Sequence, residues 1–455
     1  MTSRGKRIWG WYFFDWASQP FNTLLLTFIF APFIKDLLAD GVAAQAAWGY
    51  AVGGAGLAIA LFAPFLGAIA DKGGHRIAWV ALFSVFYMIG AWGVWLANPG
   101  SMNLWLVMGL FAIGLIGMEF ATIFTNAMLP DLGNREDIGR ISGSGSAFGY
   151  VGGLAALTIA LLFLAENADG TTFLGLRPVL GLDPGQREGT RFVGPVTALW
   201  YGVFVLPFFL WVREPRARRA LPVTQAARGA WPELKATMAE LPRSPSLFAF
   251  LGASMFYRDA LNGFYVFGGI YAAGVLGWDV VDTGTFGIIA VVASALFAWI
   301  GGRADSRFGP KPVIVFCILA LIWATFLTIF VSRDSVFGMP VGTGSRLPDE
   351  AFLVLGATIG AAGGALQSAS RTMLCRQGDP QRMTQCFGLY ALAGKATSFV
   401  APIGIGLTTD FSGSQQSGIV PLIGLFFLGL ILLIWVKPEG ERAECPPSEP
   451  VLPRP

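Results

Sequence analysis

Gly67-Ala68-Ile69-Ala70-Asp71-Lys72-Gly73-Gly74-His75-Arg76 is a polar turn between two apolar runs, and the second half of the chain echoes it as Gly301-Gly302-Arg303-Ala304-Asp305-Ser306-Arg307-Phe308-Gly309-Pro310-Lys311. Both copies read Gly-x-x-Ala-Asp, followed by a basic residue, a glycine and a further basic residue. The leading glycines, Gly67 and Gly301, let neighbouring backbones approach closely. The aspartates, Asp71 and Asp305, stand at the edge of an apolar run, where a carboxylate pairs with Arg or Lys or faces a helix N-terminus. With Lys72, Gly74 and Arg76 in the first copy and Arg307, Gly309 and Lys311 in the second, they form a candidate gating loop, whose contacts hold one conformation shut and release in another. The copies differ in spacing: three steps separate Asp71 from Gly74, and four separate Asp305 from Gly309. A second echo sets Asn126-Ala127-Met128-Leu129 against Arg371-Thr372-Met373-Leu374.

The runs around these turns decide the class of protein. Of 455 residues, 54% are hydrophobic before the 59 glycines are counted, 14% are aromatic and 13% are charged. That charge content is about half the ~25% of a soluble domain. So few charges cannot screen so much apolar surface from water, and the chain reads as an integral membrane protein. A crossing helix needs about 20 mostly apolar residues. Twelve stretches qualify: 11–34, 47–70, 77–97, 103–129, 142–165, 193–212, 247–273, 283–302, 312–332, 351–374, 386–409 and 419–437.

An even count puts both termini on one side, and basic residues mark that side as cytoplasmic. Only six of 31 Lys and Arg fall in the odd-numbered connections: Lys35, Arg177, Arg187, Arg191, Arg333 and Arg346. Arg258 and Lys395 lie inside spans. The rest gather in the N-terminus, the even-numbered connections, the tail and the membrane edge at Arg371. The N-terminal apolar run is too long for a cleaved signal and lacks a small-residue cleavage site, so it is expected to be a retained span. A bacterial inner membrane is the expected location.

The organisation that follows is a six-helix bundle over 1–212, a basic, Pro-rich linker loop over 213–246, a second bundle over 247–437 and a disordered cytoplasmic tail over 438–455. A short surface helix is expected to start at Pro232, because proline suits the first helical position. Parallel six-span repeats are a transporter architecture with the substrate site between the repeats near mid-membrane.

Ionisable residues inside spans cost about 2.5–3.5 kcal/mol at the bilayer centre and are functional candidates by default. Glu119 (span 4), Arg258 and Asp259 (span 7) and Lys395 (span 11) lie mid-span, with Asp15 (span 1) and Arg371 (span 10) nearer the edge. Spans 3, 6, 9 and 12 carry no internal charge. Helical spacing sets Asp15, Ser18, Gln19 and Asn22 on one face, Ser254, Arg258, Asn262 and Tyr265 on another, and Gln367 with Arg371 at i, i+4. Glu119 and Asp259 are the proton-coupling candidates. For Glu119 the alternatives are an ion pair with Arg258 or Lys395, or direct substrate contact. Arg258 either binds a substrate carboxylate through its fork of donors or is neutralised by Asp259 or Glu119. Asp15, Asn22, Arg258, Asn262, Tyr265, Gln367, Arg371 and Lys395 are the candidate substrate-binding residues.

Other chemistries find little support. One histidine and four cysteines without C-x-x-C spacing offer no metal site or disulfide framework, and no cofactor is expected. Gly394-Lys395-Ala396-Thr397 lacks the Ser/Thr a phosphate loop requires, and no enzyme is expected. A net charge of +3 without a basic block argues against nucleic acid. The expected partners are a small-molecule substrate, membrane lipid and protons as coupling ion, bound by a monomer.

The duplicated turn resembles the signature of the major facilitator superfamily. Asp15-Trp16-Ala17, Asn126-Ala127-Met128-Leu129-Pro130-Asp131, Gln367-Ser368-Ala369-Ser370-Arg371 and Phe387-Gly388-Leu389-Tyr390-Ala391-Leu392-Ala393-Gly394-Lys395 resemble one branch, the bacterial relatives of the autophagy-related vacuolar amino-acid effluxers. The resemblance implies an all-α fold of twelve transmembrane helices in two six-helix bundles. It also implies that spans 1, 4, 7 and 10 line a central cavity, and that the chain is a secondary transporter of small polar metabolites, with amino-acid efflux leading. A carrier of an amphiphile or drug-like compound, and a transport-dead sensor, are the alternatives. Span 5 lacks the Gly-Pro pair of the antiporter motif, and Pro20 interrupts span 1.

Overall fold

The computed structural model describes residues 3–38, 41–100, 103–167, 169–214, 221–278, 280–342 and 344–441. Helices make up nearly all of it, in the order the apolar runs predict. Span 1 is a composite: α1 (Ser3–Pro20), a π-helical segment (Phe21–Phe28) and α2 (Phe30–Leu38). The change of ladder falls at Pro20, whose missing N–H cannot continue an i→i−4 pattern. α3 (Gly41–Gly73) and α4 (Arg76–Gly93) meet at the first signature turn, with Gly74 at φ +63. α5 (Leu104–Asn126), α6 (Arg135–Phe163), α7 (Glu188–Phe204) and α8 (Leu206–Trp211) complete the first half. α6 starts seven residues before the expected 142, because Glu136 and Asp137 suit a first helical turn.

The linker is more structured than a loop. α9 runs Val223–Glu240, so the helix expected to start at Pro232 starts earlier and carries that proline inside it. The reason is an apolar face N-terminal to the proline: Ala226, Ala227 and Ala230 pack on Phe65, Leu66, Ala68, Ile69 and Trp79 beside the first signature turn. Lys72 donates to the Gly229 carbonyl at 3.2 Å. Residues 215–220 of the linker lie outside the described residues.

The second half holds α10 (Pro245–Val275), α11 (Val280–Phe308), α12 (Pro310–Ile329), α13 (Leu347–Gln377), α14 (Met383–Ala396), α15 (Val400–Ser412), α16 (Gln415–Gly418) and α17 (Val420–Leu432). α14 and α15 are one span broken at 397–399. A two-residue hairpin, β1 (Ser335–Val336) with β2 (Met339–Pro340), interrupts the otherwise helical order. Among the described residues, eleven segments are long and apolar enough to cross a membrane. The expected seventh span, α10, is 31 residues long but falls outside those eleven. Arg258, Asp259 and Asn262 lower its hydropathy. The fold is that of a multi-pass membrane protein.

The tail does not become irregular at 438. Glu439 pairs with Arg376 on α13 and with Arg135 on α6 at 3.2 Å, and Glu441 accepts the Ser246 N–H at 3.1 Å. Residues 442–455, Cys445 among them, lie outside the described residues. α6 packs along α11, and α3 along α14, so the halves of the chain meet through two crossed helix pairs.

Candidate functional site between the halves

The two signature turns, the first turns of α6 and α14 and the end of α13 lie at one end of the bundle, here the loop side. At the first turn, Asp71 reaches across to the other half. Its carboxylate accepts the Thr384 N–H at 3.1 Å and the Gln385 N–H at 2.8 Å, both in the first turn of α14. Those amides are among the donors a helix start leaves unpaired, and the carboxylate satisfies two of them. Arg76 braces Asp71 at 3.3 Å, Asp131 at 3.3 Å and the Ala127 carbonyl at 3.2 Å. Burial pushes the Asp131 carboxyl up from its ordinary range, against the pull of Arg76 and Arg7. Gly67 permits the approach: a Cβ there would lie 2.7 Å from the Thr384 carbonyl oxygen and 2.9 Å from the Gln385 nitrogen.

The second turn uses other residues. Asp305 is fully buried, and neither carboxylate oxygen has a hydrogen-bond partner among the described residues. The contact with the backbone of α6 is made instead by Ser306, whose hydroxyl accepts the Arg140 N–H in the second turn of that helix at 2.8 Å. Gly301 faces its own half, since a Cβ there would meet Ala365 at 2.8 Å. It is Gly302 that crosses: a Cβ on it would lie 2.6 Å from the Gly139 carbonyl oxygen and 2.7 Å from the Gly143 Cα. Gly309 takes φ +86, Lys311 donates to the Val436 carbonyl at 2.7 Å, and Arg307 lies over the Phe308 ring.

Arg371 is the other tie between the halves. It reaches Asp15 at 3.2 Å, Asn126 at 3.2 Å and the Ser142 carbonyl at 2.8 Å, and it also donates to the Ser146 hydroxyl. Ser142 donates to the Ser368 carbonyl at 2.9 Å. Asp15 and Arg371, expected to be substrate contacts, are thus brought together as a pair with 13% and 12% of their side chains exposed.

Deeper in the bundle, Glu119 on α5 pairs with Lys395 on α14 at 3.1 Å. Each partner comes from a different half, and their side chains are 29% and 30% exposed. Lys395 sits in the last turn of its helix, where a cation is favoured. Neither expected neutraliser reaches Arg258. It donates to the Tyr390 carbonyl at 2.9 Å with its guanidinium 4.2 Å above the Tyr390 ring. Asp259, the adjacent residue, points elsewhere and accepts the Ala401 N–H at 2.9 Å in the first turn of α15. It is buried and ties α15, the second piece of the broken span, to α10. Asn262, Tyr265 and Gln367 are exposed. Asn22 falls in the π segment and donates to the Met118 sulfur at 3.6 Å.

Ser142, Ser146, Ser306 and Glu439 escaped the reading of the sequence. The i, i+4 serines of Ser142-Gly143-Ser144-Gly145-Ser146 carried a signal, a polar stripe on a glycine-rich face. Ser306 and Glu439 carried none.

Comparison with known proteins agrees with this geometry. The chain matches the family described as vacuole effluxer Atg22 like over residues 42–445. It is similar to the uncharacterized MFS-type transporter YxiO of Bacillus subtilis (strain 168), 24% identical over 440 residues that cover 94% of each chain. It is also similar to autophagy-related protein 22 of Cryptococcus neoformans var. neoformans serotype D (strain JEC21 / ATCC MYA-565), 24% identical over 67% of this chain and 52% of the relative. The chain therefore spans about half the length of that fungal relative. Among solved structures, the proton:xylose symporter XylE bound to 6-bromo-6-deoxy-D-glucose shares the fold, with TM-score 0.67, 13% identity and coverage of 97% of this chain and 98% of that one. The chain belongs to the Atg22-like vacuole effluxer family and is an MFS-type transporter of the major facilitator fold.

Proposed function

We propose that this transporter moves a small zwitterionic metabolite of amino-acid type, in the efflux direction, by alternating access. Two six-helix bundles, 1–212 and 247–437, rock about the central site. The observation that carries this reading is the Glu119–Lys395 pair, an acid and a base from opposite halves, 3.1 Å apart and each about one-third exposed. A ligand bearing its own carboxylate and ammonium replaces both partners, the carboxylate taking Lys395 and the ammonium taking Glu119. Arg258, Asn262, Tyr265 and Gln367 supply further polar contacts around the ligand. A proton on Glu119 frees Lys395 in the same way, which makes Glu119 the coupling residue.

The ties at Asp71, Arg371 and Gly302 seal the loop side. With both termini in the cytoplasm of a bacterial cell, this is the outward-facing state. Asp15 and Arg371 then act as a lock that opens when the loop side opens, rather than as ligand contacts.

Counterflow in proteoliposomes tests the reading: a labelled amino-acid mixture outside, the same mixture unlabelled inside. Uptake of label by the wild type, reduced severely in Lys395→Gln, is the expected result. In Glu119→Gln exchange persists while pH-driven accumulation is lost. No uptake by correctly folded wild type removes the zwitterion and leaves an amphiphile carrier or a sensor.

A further inference from the structure

A crevice of about 480 Å³ opens on the flank of the molecule, between α1 and α6 of the first half and α11 of the second. Trp9, Tyr12, Phe148, Val151, Leu296 and Trp299 line it, so its walls are aromatic and aliphatic. Trp9, Val151, Leu296 and Trp299 are 41%, 47%, 52% and 44% exposed, on segments apolar enough to cross the membrane. Its mouth therefore faces acyl chains rather than water.

The loop-side rim of this crevice is basic. Arg303, one turn beyond Trp299, lays its guanidinium 3.4 Å over the Trp299 ring, and no acidic side chain pairs with it among the described residues. Arg140, one turn before the lining Ser144, projects from α6 and is held at 3.0 Å by Asp137. Tyr12 lies within electrostatic reach of both arginines. An apolar slot with guanidinium groups at the headgroup end is complementary to one molecule class: an apolar tail carrying an anionic head. A free phosphate has no use for the slot, and a neutral lipid has none for the rim.

We propose that this crevice binds one anionic phospholipid, an acyl chain between Phe148 and Leu296 and the phosphate against Arg303 and Arg140. The site is distinct from the central Glu119–Lys395 site and stands whether or not the substrate reading does. It is built from both halves, next to the Gly143–Gly302 crossing, so it exists in full only while the loop side is closed. A lipid bound there favours this state over the other by its differential affinity.

Native mass spectrometry of the purified protein tests this with phosphatidylglycerol and phosphatidylcholine of identical acyl chains. Expected is one retained phosphatidylglycerol, held about fivefold better than phosphatidylcholine, the worth of one basic residue near an anionic lipid surface. Arg303→Gln abolishes the preference, and Ala295→Trp, which fills the slot, abolishes retention. Ala147→Leu takes its place if that variant does not assemble. Equal retention of both lipids overturns the proposal. So does undiminished retention in the filled variant, or full competition by glycerol phosphate without a chain.

Discussion

The two signature turns are alike in sequence and unlike in action. At the first, a carboxylate crosses to the other half and collects two backbone N–H groups. At the second, the matching aspartate is buried against Gly139 of the other half without a hydrogen bond, and the residue after it supplies the bond across. Counted back from the turn glycines, the difference becomes orderly. Asp71 stands three before Gly74, and Ser306 stands three before Gly309. Gly67 stands seven before Gly74, and Gly302 stands seven before Gly309. The residue that hydrogen-bonds across the halves and the glycine that admits the opposite backbone keep register with the positive-φ glycine, whereas the Gly-x-x-Ala-Asp letters have slipped by one. A helix presents a face according to its distance from a fixed end. The pairing across the halves is therefore set by the turn and not by the most recognisable residue.

This comparison can be broken or sharpened by substitutions that shift the balance between loop-side closed and open forms, read as spin-label distances across that side. Asp71→Asn should cost the closed form most, about 3 kcal/mol, because a charged acceptor of buried N–H groups is lost. Retention of the closed distance would sink the assigned tie. Gly302→Ala should cost about 2 kcal/mol by forcing a methyl group into facing backbone, whereas Gly301→Ala should leave the distance across the halves unchanged. If Gly301→Ala opens the loop side and Gly302→Ala does not, the slipped register is wrong. Ser306→Ala should cost about 1 kcal/mol, one neutral hydrogen bond to a backbone N–H of α6. Asp305→Asn should change the balance by no more than about 0.5 kcal/mol, since no bond crosses the halves from it. A large loss there would restore the symmetric reading.

Much of the architecture was legible because it rests on composition and period. The apolar runs located the spans in order, while polar and basic turns carry helix ends outward by up to eight residues, as at the starts of α1 and α6 and the end of α11. The echo of Asp71 and Asp305 pointed to a duplicated turn, and the mid-span charges singled out Glu119 and Lys395, which meet across the halves. What stayed hidden depends on register between distant segments. Arg258 and Asp259 are neighbours in the chain yet serve Tyr390 and Ala401 on separate helices, because adjacent residues on a helix point about 100° apart. Glu439 lies in a stretch whose prolines read as irregular, and only its pairing with Arg135 and Arg376 shows that it is fixed.

The π-helical stretch after Pro20 makes length, rather than chemistry, the sensitive variable of span 1. Its ladder closes one residue later per turn than an α-helix, so it holds slack that no substitution removes. Deleting a single residue from 21–28 lets that ladder tighten toward an α-helix, so the segment between the deletion and Leu38 is re-phased relative to α1, by less than the ~100° the same deletion causes in a uniform α-helix. Asn22, Leu24 and Leu25 would face new neighbours while every chemical group was kept. A one-residue indel here is a rotation control on the contact between Asn22 and Met118.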